Sequence, residues 1–248
     1  MRGTWIGPAG VFLVVAFAGA GVLGAVQPAT GVPGEVVELL QFGPALGVLA
    51  VAAGWPRLVR GLWAGGAARG PWAAVLGSAA AVTGLAVAGA LLLGVPVPVT
   101  GTAAPFGVVA AAQLVGACGE EAGWRCLLQP LLRERFGVWG SSVAVGLLWG
   151  CWHVQVFAQA PAYAAGFLAA TVAMSVLLGA AWERIGAHRL AVAGAFHALV
   201  NLGMLVFLDE ESGAVAPMLL FGAASVLVAL PWVLTVRRRA APAGITLI

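Results

Sequence analysis

Seven side chains in this sequence have the types and the spacing to do chemistry together. Gly119 to Arg125 reads Gly-Glu-Glu-Ala-Gly-Trp-Arg, Trp149 to His153 reads Trp-Gly-Cys-Trp-His, and His197 to Asn201 reads His-Ala-Leu-Val-Asn. On helices, Glu121 and Arg125 share a face, with Glu N-terminal to Arg as the better order for an ion pair. Glu120 points about 100° away from Glu121 and is free to face a cavity, alongside Gln113 two turns earlier. His197 and Asn201 present an imidazole and an amide from one face. A carboxylate and two imidazoles support two schemes. Glu120, His153 and His197 could hold a metal such as Zn, with an open position for a water whose pKa falls to about 7. Alternatively Glu120, with His153, takes a proton from an attacking water while His197 and Asn201 donate hydrogen bonds to an oxyanion. Asn cannot act as a base, so donation is its natural role.

The elements that carry these groups must lie in lipid. Of 248 residues, 62% are apolar and 8% are charged, against roughly 25% charged in an ordinary soluble domain. There is too little charge to coat a water-facing surface, which excludes soluble classes and nucleic-acid binding. Apolar runs at 4–26, 36–55, 71–93, 106–132, 138–157, 161–182, 190–208 and 215–236 are continuous rather than alternating, so they read as helices and not as barrel strands. The fold class is all-α, a polytopic membrane helical bundle of about eight transmembrane helices. The chain is expected to be one membrane domain, 1–248. Within it 4–103 hold three N-terminal spans, 104–208 the chemistry-bearing core, and 209–248 the last span with an Arg-rich tail.

Charge placement tests the span count. All twelve basic residues are Arg. With eight alternating spans, Arg2, Arg57, Arg60, Arg69, Arg133, Arg135, Arg184, Arg189, Arg237, Arg238 and Arg239 fall on one side, and Glu35, Glu38, Asp209, Glu210 and Glu211 on the other. The positive-inside rule makes both termini cytoplasmic. The Arg triplet is an orientation anchor that also attracts anionic lipid, and His188 is expected to be solvated at the same edge.

Arg125, Glu120 and Glu121 remain inside the fourth run, where each charge costs at least about 2.5–3.5 kcal/mol at mid-bilayer. A parsing that ends this span at Gly119 strands the apolar stretch 126–132, so the long span is preferred. Glu120 lies 13 residues before Arg133 and His153 16 residues after Gly137, roughly 20–24 Å from that edge in untilted helices. His197, eight residues past Arg189, lies roughly 12 Å in. Given tilt, the three meet in an intramembrane pocket, and Gly146 and Gly150 would let the His153 helix approach a neighbour closely. Cys118, Cys126 and Cys151 are odd in number and read as packing residues. A Cys151–His153 nucleophile is disfavoured because residues two apart do not share a helix face.

In order and spacing, Glu-Glu-x-x-x-Arg, aromatic-x-x-x-His and His-x-x-x-Asn resemble the motifs of the CPBP family, the type II CAAX prenyl endopeptidases and bacterial Abi-type intramembrane proteases. The stretch from Gly119 to Pro130, GEEAGWRCLLQP, is especially similar, and the resemblance covers about 106–205. It implies an intramembrane endopeptidase of a bacterial-type plasma membrane, acting on membrane-associated peptide or protein substrates. The catalytic residues it implies are Glu120, His153, His197 and Asn201, with Glu121, Arg125 and Trp149 as supporting residues. It leaves open whether a metal takes part. Trp149 replaces the usual Phe, and Cys126 the Gly that commonly follows the Arg; neither change removes a catalytic group. Two other readings compete: a proton- or ion-coupled transporter using the same groups as a relay, and a non-catalytic immunity or scaffold protein. The lack of an obvious inverted repeat weighs against the transporter.

Overall fold

The computed structural model describes residues 5–34, 36–63, 70–99, 101, 104–208 and 212–240, with the backbone alone for 237–240. Arg2, Glu35, Arg69, Asp209, Glu210 and Glu211 lie outside the described residues. Among those described there is no strand. The helices are α1 (Ile6–Thr30), α2 (Gly43–Gly54), α3 (Pro56–Trp63), α4 (Trp72–Leu92), α5 (Phe106–Gly123), α6 (Gln129–Trp152), α7 (Pro161–Trp182), α8 (Arg189–Phe207) and α9 (Val215–Ala240). Among the described residues α1, α4, α7, α8 and the 215–236 part of α9 are each long and apolar enough to cross a membrane. The chain is an integral membrane protein built as an all-α bundle.

Three runs depart from simple spans. The second enters through a 3₁₀ turn, Leu39–Phe42, and becomes α2 only at Gly43, where Pro44 supplies a preformed helical φ and no N–H to satisfy. The fourth does not stop at Gly119. Helix α5 passes through a π turn, Trp124–Leu128, into α6, so the charged cluster is held on continuous helical backbone, at a kind of irregularity common at functional sites. The break comes later, at Gly137, whose φ of 66° suits glycine. The fifth span ends early. The His153 ring nitrogen Nδ1 sits 2.9 Å from the Trp149 carbonyl, the acceptor the helix would have offered to the His153 N–H, which turns to Gly150 O instead. The side chain displaces the backbone, α6 stops at Trp152, and a 3₁₀ turn, Val154–Ala158, follows.

Small residues set the packing. A Cβ on Gly146 would lie 2.6 Å from Val172 Cα, and one on Gly150 2.6 Å from Leu168 Cδ2, so α6 and α7 touch almost backbone to backbone. Gly222 meets the Gly166 carbonyl in the same way between α9 and α7. In lipid such close contact replaces the hydrophobic drive that water provides. Helix α5 packs between α2 and α8, and α7 between α6 and α9.

The Arg-bearing joints gather at one end of the bundle. Trp5 meets Phe136 edge-on at 5.6 Å, Trp72 meets His188 at 5.4 Å, Arg133 pairs with Glu183, and Gly70 is pressed against Ile185. His188 is exposed, as expected of a ring at this edge, and it meets the Trp72 indole edge-on from a left-handed φ of 58°. At the other end, Gln27 holds the joint before α2 through Val37 O and the Leu39 N–H, and Gly213 lies against Gln159.

Gly146→Val should lower thermal stability of the detergent-solubilised protein by about 1–3 kcal/mol, the usual cost of overpacking. Gly84→Ala, with open space around its Cα, should leave it unchanged. Equal effects of the two substitutions in a thermal-shift measurement would contradict the close α6–α7 contact.

Candidate active site

A glycine stripe on α5 brings the second run against the charged cluster. Gly116, Gly119 and Gly123 leave little or no room for a Cβ, because Gln41, Phe42, and Pro44 together with the Phe12 ring of α1 occupy that space; the Gln41 carbonyl would be 3.1 Å from a Cβ on Gly119. This contact delivers Gln41 to Glu120. Its Nε2 donates to Glu120 Oε1 at 3.2 Å, while the Trp149 indole N–H donates to Oε2 at 2.8 Å. Each oxygen of a carboxylate that is 1% exposed is therefore held by a neutral donor from a different helical segment. Because a carboxylate only accepts, the NH₂ side of the Gln41 amide must face it.

Glu121, fully buried, turns the other way. Its Oε1 lies 2.9 Å from His197 Nδ1, and its Oε2 lies 3.4 Å from Arg125 Nε. The expected Glu121–Arg125 pair is present, and Glu121 additionally ties α5 to α8. The Arg125 guanidinium carbon stands 4.2 Å from the centre of the Trp149 ring, a cation–π contact that compensates a charge whose terminal nitrogens have no hydrogen-bond partner among the described residues. Trp149 thus serves Arg125 with its face and Glu120 with its N–H, and its ring also meets His197 at 5.1 Å and His153 at 5.8 Å.

The two imidazoles are fixed by what they bond. His153 Nδ1 faces a backbone carbonyl and His197 Nδ1 a carboxylate. Both partners are acceptors, so Nδ1 carries the proton in each ring and Nε2 is left for the cavity. Asn201 donates to Gln113 Oε1 at 3.1 Å, which keeps one amide hydrogen for another acceptor.

Glu120, His153, His197 and Asn201 all line a cavity of about 420 Å³. Further carboxamides, Gln41, Gln113, Gln155 and Gln159, line its polar wall, and Phe167, Met174 and Phe221 an apolar one. The side chains singled out in the three motifs are therefore brought together, with Glu121 and Arg125 behind them. The ring tautomers would suit a metal. Even so, among the described residues no three His, Cys, Asp or Glu side chains are close enough to share one ion, and both Glu120 oxygens already accept from protein donors. As placed, the Glu120, His153 and His197 groups do not form a ligand set. Cys118, Cys126 and Cys151 are free and none lines the cavity.

Two features escape motif reading. Gln41 lies in an apolar run, 36–55, that also holds Glu38, and apart from its polarity the glycine spacing on α5 is its only signal. The donor role of Trp149 is hidden because an aromatic at that position reads as packing.

Residues 102–203 match the family model for type II CAAX prenyl endopeptidase, Rce1-like. The match spans α5, the π turn, α6, α7 and most of α8, and so contains all seven motif side chains. None of the curated proteins compared with the chain matches it.

Gln41→Met, close in volume, and Trp149→Phe, smaller but still aromatic, remove one donor each. Either should shift the carboxylate stretching band of Glu120 in infrared spectra, the band being assigned by its loss in Glu120→Gln. An unmoved band in both variants would contradict the two-donor hold.

Proposed function

This chain belongs, over residues 102–203, to the CPBP/CAAX protease family, and we propose that its cavity hydrolyses peptide bonds of membrane-associated substrates with Glu120 as the base. What carries this reading is the position of Glu120, a carboxylate held by two neutral donors at the wall of a cavity that two imidazoles and Asn201 also face.

The proposed cycle uses only groups of this chain. A peptide segment enters along the carboxamide wall, where Gln and Asn side chains can pair with main-chain N–H and C=O groups. Water sits between Glu120 and His153 Nε2. Glu120 takes its proton as the oxygen attacks the carbonyl carbon, and His153 orients it by accepting a second hydrogen bond. The oxyanion receives hydrogen bonds from Asn201 and from His197 Nε2 once that ring carries both protons. That second proton comes from solvent before the substrate binds, and Glu121 balances the imidazolium; Glu120, Glu121, Arg125 and His197 then sum to zero in the resting site, and the oxyanion takes over the negative charge that Glu120 loses on protonation. On collapse Glu120 returns the proton to the leaving amine. The remote roles are clear in this scheme: Glu121 orients His197, Gln113 orients Asn201, and Arg125 with Trp149 hold Glu120. Neutral or basic segments fit better than acidic ones, since Glu38 and Glu120 line the cavity and, among the described residues, no Arg does.

In the same reading the positive-inside rule puts the Arg-bearing end, and with it both termini, in the cytoplasm, and the family resemblance suggests a bacterial-type plasma membrane.

Glu120→Gln and His153→Ala should lower the rate of cleavage of a quenched-fluorescence peptide in nanodiscs by about 10²–10⁴-fold, the range for general acid–base groups. Asn201→Ala should cost about 10²–10³-fold, as for one oxyanion donor. Full activity of purified Glu120→Gln would remove the base from this scheme. Prolonged chelation should leave the wild-type rate unchanged; loss restored by added zinc would favour the metal arrangement of Glu120, His153 and His197 instead.

A further inference from the structure

The cavity has a direction. Its exposed lining residues are Gly34, Glu38, Gln155 and Gln159. They lie in the joints between α1 and α2 and between α6 and α7, at the end that Gln27 and Gly213 also occupy. Moving inward, the lining passes to buried Glu120, Trp149, Thr171 and Met174. Among the described residues, none in the Arg-bearing joints, which include Arg57, Arg60, Arg133, Arg135, Arg184 and Arg189, lines it.

Depth agrees. Glu120 lies 13 residues from Arg133 along the helical backbone, roughly 20 Å. In a hydrocarbon layer about 30 Å thick this leaves Glu120 nearer the surface away from the arginines. His153, at the far end of α6, is already where that helix gives way to the exposed turn carrying Gln155. Water can therefore reach the carboxylate from that surface over a short path lined by carboxamides, while towards the opposite end α6 and α7 are in close contact at Gly146 and Gly150.

We infer that the site opens to the non-cytoplasmic side, and that its substrates are extracytoplasmic segments of membrane-associated polypeptides rather than tails presented from the cytoplasm. The inference rests on the peptidase reading for its substrate half and on Arg segregation for its sidedness half. The positive-inside rule counts Arg and Lys in short joints near span ends. Every described Arg except Arg125 whose side chain is defined lies in such a joint, at the end away from the mouth.

The two halves are tested separately on the full chain expressed in a bacterial host. In a background of Cys118→Ala, Cys126→Ala and Cys151→Ala, single substitutions Gln155→Cys or Gln159→Cys at the mouth are compared with Gly61→Cys on α3. Gly61 is exposed and has open space around it. A membrane-impermeant maleimide should label the mouth positions in intact spheroplasts and Gly61→Cys only in inverted vesicles. The reverse pattern would overturn the inference. In parallel, new protein N-termini are mapped in cells carrying the wild type or Glu120→Ala. Termini that disappear with Glu120→Ala should fall in extracytoplasmic segments, and cytoplasmic ones would overturn the substrate half. If no terminus depends on Glu120, the peptidase reading itself fails, while the labelling result still decides the side on which the cavity opens.

Discussion

Glu121 and Arg125 are charges buried behind the cavity where water cannot compensate them, Glu120 meets water only at the cavity wall, and the surrounding architecture is arranged around that cost. Each ionised group in hydrocarbon is expensive, and leaving one unpaired is costlier still. The solution adopted is a closed circuit: Gln41 and Trp149 on Glu120, His197 and Arg125 on Glu121, and the Trp149 ring under Arg125. Four separate segments contribute, so the circuit can close only when the bundle is assembled. That makes the site a structural keystone as well as a candidate catalytic centre, and it ties local chemistry to global packing. The glycine stripe on α5 and the glycines of α6 exist in this view to let the contributing backbones come close enough for short side chains to meet.

The division of labour between two adjacent glutamates follows from helix geometry alone. A 100° offset sends Glu120 to the cavity and Glu121 to the interior. The first has neutral donors, Gln41 and Trp149, as its hydrogen-bond partners. The second is the counter-charge for Arg125 and the orienting acceptor for His197. The π turn immediately after them places Arg125 above the Trp149 ring without interrupting the helix that carries both carboxylates. Fixed donors at the base and fixed tautomers at both imidazoles are what a preorganised site requires, since little then has to reorganise as charge develops.

Much of this is legible in the residues themselves. Low charge and continuous apolar runs lead to a helical membrane bundle, and the three spaced motifs lead to a shared cavity, because spacing on a helix determines which side chains share a face. The Arg clusters likewise mark one end, and Trp5 with Phe136 and Arg133 with Glu183 meet there. What spacing does not give is contact between segments distant in sequence. Gln41 reaches Glu120 across 79 residues, and Glu121 reaches His197 across 76; neither pairing has a local signature. The early end of α6 is hidden for a different reason: the His153 ring takes a carbonyl from its own backbone, an outcome that helix propensity and hydropathy do not register. The 3₁₀ entry to α2 is likewise a consequence of where Gln41 must sit rather than of the apolar run around it.

The central claim is that Glu120, His153, His197 and Asn201 meet around one water inside the membrane. A density map of the protein in lipid nanodiscs, sharp enough to place side chains and ordered water, tests it most directly. The expected result is Glu120 held between Gln41 and the Trp149 indole, with a water bridging it to His153 Nε2 and no metal density between them. Glu120 turned to lipid, or a tetrahedral ion joining it to both imidazoles, would contradict the claim.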